Sequence, residues 1–590
     1  MPATPKRFAA CRFPHRIAVQ PLKTLTVCAA FALLAVPAGG HAQYSPGAAD
    51  AQELIRQQQR ERQLRDRFER SPDIRLDAPS AAIADAPLAT DETPCFPIER
   101  IELAGEGAEA FRWALAAIDR PDDPPIGRCL GTRAINQLMT RLQNRIVSRG
   151  YITTRVLAAT QDLTRGVLTL SVIPGRIRDI RAADGTELHV SLGAALPAAS
   201  GDLLNLRDIE QGLENLKRVP TADADVRIAP AADPLAGPGE SDLVVVWQQQ
   251  RPLRLNLSLD DGGTRATGRF LGAATLSLDN ALGLSDLFYA SFNRDLGGGV
   301  SGSRGTRGYT VHYALPWGYW LVGLTAGGNT YHQAVAGATQ TYRYSGESEH
   351  AELRLTRLLH RNATGKTSAW VQAWMRQSNN FIDDTEVVVQ RRRMGGWEAG
   401  LNHRAFVGPA TLDADLAYRR GTGAFAAIPA PEEGFGEGTS RPGIYTASAQ
   451  FNLPFRAGGQ SLRYAGLARL QRSESPLVPQ DRFAIGGRYT VRGFDGESVL
   501  SGERGWLWRN DLGLTLRDTA AEAYVGVDVG VVSGRSTRDL LGRRLAGGVL
   551  GVRGSVGSLA YDVFVGTHLA RPKGFASPDG LAGFSLNWSW

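Results

Sequence analysis

Across residues 251–590 apolar and polar side chains change places at every step, in one run after another. Leu253, Leu255, Leu257 and Leu259 are interleaved with Arg254, Asn256, Ser258 and Asp260. Further on, Tyr445, Ala447, Ala449, Phe451 and Leu453 alternate with Thr446, Ser448, Gln450 and Asn452. A period of two sends the two sets to opposite faces of a strand. A wall between lipid and a wet lumen needs that separation along its whole length. A slip of one residue would turn Arg254 and Asp260 into hydrocarbon, at roughly 2–4 kcal/mol for each Arg or Lys at the midplane. About sixteen antiparallel strands are predicted, beginning near Leu253, Gly268, Asp286, Arg304, Tyr319, Ser348, Lys366, Arg393, Ala410, Gly443, Ser461, Glu503, Ala521, Arg543, Ser558 and Gly583. The final run places Phe584, Leu586, Trp588 and Trp590 outward against Ser585, Asn587 and Ser589, and reads as the C-terminal signal of a transmembrane β-barrel. A soluble sandwich is the other architecture that alternation allows.

The periodicity changes upstream of Arg251. Residues 1–42 combine Lys6, Arg7, Arg12, Arg16 and Lys23 with an apolar core from about Leu25 to Val36 and a small-residue end at Gly40-His41-Ala42. This is the layout of a secretory signal peptide. Residues 43–70 hold a predicted helix, strongest over Ala51–Arg70, whose large apolar residues are Leu54, Ile55, Leu64 and Phe68. A helix polar on most sides needs polar surroundings. At about 30 Å for its 20 residues it would fit lengthwise in a wet barrel as a plug, or stand solvated in the periplasm. Residues 71–94, rich in Pro, Ala and Asp, read as a linker. Then the order strand, helix, helix, strand, strand occurs twice. In 95–176 it runs Ile98–Leu103, Ala108–Ile118, Thr132–Arg149, Ile152–Ala158 and Gly166–Ile173. In 177–250 it runs Ile177–Arg181, Glu187–Ala195, Leu206–Lys217, Ala224–Ile228 and Asp242–Trp247. An exposed strand of such a unit can take up an extended peptide by strand addition.

Composition narrows the chemistry. Four cysteines become two once the leader is removed, and Cys95 and Cys129 are expected to pair in an oxidising compartment, a free-thiol state being the alternative. The formal charge of +7 comes with no helix-turn-helix, finger or aromatic RNA motif, so no nucleic-acid partner is assigned. No run of 18 apolar residues follows the leader, which excludes helical membrane spans. Gly365-Lys366-Thr367 resembles the end of a phosphate loop, but the first glycine of that motif falls on His360. Neither a metalloprotease spacing nor a nucleophile elbow accompanies the nine histidines. No catalytic residue, metal or cofactor is assigned.

One segment stands apart from the alternation. Residues 472–502 fall between the eleventh and twelfth strands and contain Val491-Arg492-Gly493-Phe494. With a leader, a polar helix, two small domains and a barrel, this motif resembles the transporter component of two-partner secretion within the Omp85 superfamily. The resemblance covers essentially the whole mature chain. Cys95-Phe96-Pro97-Ile98 at the start of the first domain leans toward the haemolysin-activator and contact-dependent-inhibition branch. In that family the two domains are of the polypeptide-transport-associated (POTRA) type, and the loop folds back into the barrel. Tyrosine or phenylalanine is usual where Phe494 stands. The resemblance also implies an acidic partner for Arg492 on the lumenal wall, and Asp528 matches that position. Alternation puts Asp528 on one face with Tyr524, Gly526 and Gly530, and Val525, Val527 and Val529 on the other.

The implied function is export of one large exoprotein, recognised by its amino-terminal secretion domain, encoded nearby and passed through the outer membrane without nucleotide. The implied setting is outer-membrane lipid, with the POTRA domains in the periplasm and the protein monomeric. An assembly factor for other barrels is the first rival, and a porin or plugged receptor is the second.

Overall fold

The computed structural model describes residues 46–69, 71–76, 86–516 and 519–590, the first six of them by backbone alone. The predicted leader, Arg70 and residues 77–85 of the linker lie outside the described residues.

Two small α+β domains precede the barrel. In the first, Arg100–Ala104 pairs in parallel with Val167–Ile173, which pairs antiparallel with Arg155–Leu157. The helix Thr132–Ser148 covers this sheet because Ala134, Leu138, Leu142 and Ile146 recur at a helical period, and all four are fully buried. The first-turn amides of Arg133 and Ala134 donate to the Glu92 carboxylate at 2.7 and 2.9 Å, so a linker side chain caps the helix. Burial alone would raise the Asp123 carboxyl, but the guanidiniums of Arg141 and Arg128 and the amide of Leu88 hold it below the usual carboxylate range.

The second domain repeats the plan, with Arg176–Ala182 parallel to Glu240–Gln249 and Ala222–Pro230 antiparallel to it. Its helix Leu206–Leu216 starts at Asn205, whose side chain accepts from the Arg207 amide at 2.9 Å. Three expectations need correcting. Ala108–Ala117 is a 3-10 helix, and the helix expected over Glu187–Ala195 shrinks to Leu192–Ala195, because Val190 turns the chain into the domain core. A small sheet of Phe96–Ile98 with Arg128–Leu130 was not foreseen, since three-residue strands carry no period.

The barrel closes with sixteen antiparallel strands and one short extra strand, Thr385–Glu386. Strand starts fall close to the expected positions except the sixth, which begins at Thr341 rather than near Ser348. Residues Thr341–Glu347 extend the hairpin with the pattern reversed, because Thr341, Arg343, Ser345 and Glu347 take the outward face while Tyr344 on the inward face is 1% exposed, so the apolar-outward signature of a lipid-facing strand is absent there. The seam is short, with five register pairs from Ser585 opposite Asp260 to Ser589 opposite Asn256. Trp590 extends it through backbone bonds in both directions with Leu255, at 2.9 and 3.0 Å. Trp588 and Trp590 are exposed on the outer surface, as are Leu253 and Leu257. The second α+β domain seats on short turns at one end of the barrel. The Asn215 amide donates to the carbonyls of Ala195 and Gly318 at 2.7 and 2.8 Å, and the Gly318 amide donates to the Ala194 carbonyl at 2.8 Å.

Candidate functional site: a loop and a helix inside the barrel

The segment between strands Gln460–Ser473 and Arg504–Thr515 folds into the lumen rather than over its mouth. Its base is a 3-10 turn, Pro479–Asp481, fixed by an Arg376–Asp481 ion pair at 2.9 Å. A short hairpin, Phe483–Ile485 with Leu500–Gly502, then carries the tip inward. The tip is held in two ways. Val491 and Phe494 are buried in an apolar cluster with Ile485, Leu507, Val532 and Leu545, and Phe494 meets Phe575 edge-on with ring centroids 5.8 Å apart.

Between these apolar anchors, Arg492 faces the strand Ala521–Ser533. Its Nε donates to Asp528 Oδ2 at 2.7 Å and its Nη2 to Asp528 Oδ1 at 2.8 Å, while the backbone amide of Arg492 adds a third bond to Oδ2 at 2.9 Å. Asp528 is 1% exposed, so the fork and carboxylate meet in a site from which water is excluded.

The wall is shaped for this contact. Gly493 has φ +90°, and a Cβ there would lie 2.3 Å from the Thr567 carbonyl oxygen. A Cβ on Gly547 would lie 1.8 Å from the carbonyl oxygen of Arg492. On Gly526 it would sit 2.7 Å from Arg492 Nη2, and on Gly530 2.9 Å from Val491 Cγ2. Glycines on two adjacent strands therefore form the groove that receives the motif.

The rest of the lumen is crossed by the helix Pro46–Phe68, about 35 Å long at 1.5 Å per residue. Glu53 and Glu61 are buried against the barrel wall, and Gln57 between them donates to Glu61 at 3.0 Å. Glu53 accepts from the hydroxyls of Thr306 at 3.3 Å and Thr267 at 3.4 Å. Glu61 lies 3.3 Å from His350 Nε2. Arg65 pairs with Glu352, and the Tyr289 hydroxyl donates to Glu69 at 2.9 Å. Arg67 bridges the seam by donating to Asn256 at 2.9 Å and to Asn587. Arg56 donates to the Gly496 carbonyl of the loop tip, so helix and loop touch. On the opposite side Gln59, Arg62, Gln63 and Asp66 face a cavity of about 480 Å³ bounded by Arg469 and Arg509. At its lower end the helix is less polar than its sequence suggests. Phe68 is buried in an apolar cluster that joins the core of the second α+β domain to Leu287 and Tyr289 of the barrel, its ring 5.4 Å from that of Tyr289, with Leu64 packed against the same cluster.

Comparison with known proteins adds the family. The haemolysin secretion/activation proteins ShlB/FhaC/HecB match residues 239–554, and two POTRA families match 96–175 and 176–230. The chain belongs to the haemolysin secretion/activation family. It is 38% identical to the outer membrane transporter CdiB-2 of Burkholderia pseudomallei (strain 1026b), over 90% of this chain and 92% of that one. It is 28% identical to CdiB of Dickeya dadantii (strain 3937), over 86% and 89%. The solved structure of CdiB from Acinetobacter baumannii superposes with a TM-score of 0.81 at 30% identity, over 93% of this chain and 100% of that one. The protein is accordingly an outer-membrane transporter of two-partner secretion, with its POTRA domains in the periplasm.

Within this transporter the sequence reasoning missed half of the arginine's surroundings. Asp511 accepts from Arg492 Nη2 at 2.5 Å and is itself held by Arg553 at 3.1 Å, while Arg509 Nε lies 3.7 Å from Asp528. The signal was present, because Arg509, Asp511 and Gly513 share the inward face of their strand. Cys95 and Cys129 form the disulfide of the transporter's first POTRA domain, with Cα atoms 5.2 Å apart. It ties the domain's entry to the strand Arg128–Leu130. Replacing both cysteines by serine is expected to destabilise that domain by about 3–4 kcal/mol. The readout is a lowered first thermal transition, with the barrel's heat-modifiable mobility unchanged.

Proposed function

We propose that this transporter captures one large exoprotein in the periplasm and passes it unfolded through the barrel to the cell surface, with no nucleotide and no catalytic step. The observation that carries this reading is the nature of the obstruction. Beside the inward loop, the lumen is crossed by one helix held largely by side-chain hydrogen bonds and ion pairs. Water can replace such contacts one by one, so withdrawal leaves an intact wall around a polar channel.

Capture falls to the POTRA domains, where Arg155–Leu157 is an edge strand with Leu157 half exposed, open to an extended client. The loop carrying Arg492 fixes the channel's shape. Relatives are named as CdiB transporters and as the haemolysin transporters HpmB and ShlB. The client here is of that general kind, an adhesin, cytolysin or contact-dependent toxin, and a monomeric barrel suffices to carry it.

Deleting the transporter is expected to abolish release of the exoprotein encoded beside it, measured in the medium and at the cell surface. Undiminished release would discard the reading and move barrel assembly to first place.

A further inference from the structure

Residues 71–76, between the plug helix and the first POTRA domain, have neither helix nor strand of their own, yet they are gripped along their backbone. The Leu76 amide donates to Glu210 Oε1 at 2.8 Å and the Ile74 amide to Glu214 Oε1 at 3.0 Å. Arg361 donates to the Ile74 carbonyl, and Arg218 to the Ser71 hydroxyl at 3.2 Å. The side chains of Ile74 and Leu76 pack on the core of the second POTRA domain. Asp73 faces Lys366 at 3.3 Å and Arg404 at 2.5 Å on the barrel, and Arg75 lies 4.5 Å over the ring of Phe406.

The spacing explains the fit. Carboxylates four residues apart on one helix face stand about 5–6 Å apart at Cβ, and alternate amides of an extended chain are about 6.6 Å apart. Glu210 is wholly buried and Glu214 is 5% exposed, and Arg361 serves both, with Nε at 2.9 Å from Glu210 Oε2 and Nη2 at 3.0 Å from Glu214 Oε1. Two buried carboxylates aimed at alternate amides constitute a site for a peptide backbone, with apolar sockets between them.

We propose that residues 71–76 are the internal occupant of a peptide-binding groove on the second POTRA domain, and that an extended apolar segment of the exported protein displaces them to free the plug. This rests on the plug reading above. The helix ends at Phe68, three residues before Ser71. At about 3.5 Å per residue that spacer gives far less slack than the helix is long. A folded helix gripped so close to its end cannot leave the lumen until the groove lets go. Recognition through backbone amides also suits a client that arrives unfolded.

The test is electrical, on the full chain in planar bilayers, with heat-modifiable mobility as the check on folding. Ile74→Pro with Leu76→Pro removes both amide donors and leaves Glu210, Glu214 and Arg361 in place. The open fraction is expected to rise at least about tenfold, a lower bound set by either one of the two charge-assisted hydrogen bonds removed. A chain lacking residues 46–69 is the reference. If that deletion opens the pore while the double proline variant behaves as wild type, the grip is wrong and the plug stands. If the deletion itself leaves conductance unchanged, the plug reading falls and this inference with it. The peptide Ser-Pro-Asp-Ile-Arg-Leu, added at millimolar concentration to the periplasmic side, is expected to raise wild-type opening. The same peptide N-methylated at Ile and Leu should have no effect. Equal action of the two peptides, or none from either, overturns backbone recognition in trans.

Discussion

Arg492→Ala is expected to reduce exoprotein release at least about tenfold while the barrel reaches the outer membrane in normal amount. Removing one partner of a buried pair typically costs about 3–5 kcal/mol, because the remaining charge is left without compensation. Here the substitution strands Asp528, whose nearest other cation is Arg509 at 3.7 Å, and takes a donor from Asp511, which keeps Arg553. Asp528→Asn should fall between, since an amide oxygen still accepts from the Arg492 backbone but lacks the charge that fixes the fork.

The contact's shape can be tested apart from its charge. Gly547→Ala leaves every ionised group in place but puts a methyl where the Arg492 carbonyl oxygen now lies. It should therefore impair release as severely as the arginine substitution. Secretion would be measured at matched barrel abundance by surface labelling and heat-modifiable mobility. Full release by both Arg492→Ala and Gly547→Ala would show that the seated loop is not needed for transport. Full release by Gly547→Ala alone would show that charge, and not the groove, holds it.

Why some of this was legible in the chain and some was not follows from what each contact depends on. Barrel strands declare themselves because lipid outside and water inside impose a strict period of two, and the inward set Tyr524, Gly526, Asp528 and Gly530 could be read from it directly. The lipid boundary also explains the misplaced start of the strand Thr341–Asn362, whose first residues put Arg343 and Glu347 outward and bury Tyr344 inward, the reverse of the lipid-facing pattern. Asp511 sits on an equally clear face, but nothing in its own strand says that a loop arginine will reach it. Partner choice across a lumen depends on where the loop tip lands, and that is set by Gly547, Thr567 and Phe575, all remote in sequence from Arg492. The helix shows the same limit. Its polar character is plain, but the burial of Phe68 among POTRA and barrel residues more than a hundred positions away leaves no local trace.

Deletion of residues 46–69 is expected to convert the resting barrel into an open one, with conductance several-fold above wild type in planar bilayers. The barrel itself should survive, because its backbone ladder closes on its own strands, seam included. The wall groups left behind, among them His350, Glu352 and Tyr289, would face water rather than apolar surroundings, where unmade hydrogen bonds are replaced and the penalty is small. The lower end differs. Phe68 and Leu64 contribute apolar burial at the junction of the second POTRA domain with Leu287 and Tyr289 of the barrel, and burying one large side chain is worth about 1.5–3 kcal/mol. Phe68→Ala should therefore raise the open fraction more than Arg65→Ala, which breaks a part-buried pair with Glu352 whose freed carboxylate the lumen water can reach. That ordering separates a plug anchored at the apolar junction of POTRA domain and barrel from one held evenly along the lumen. If Arg65→Ala opened the channel as readily as Phe68→Ala, the polar wall contacts would be the lock, and release would have to begin along the lumen rather than at the apolar junction around Phe68.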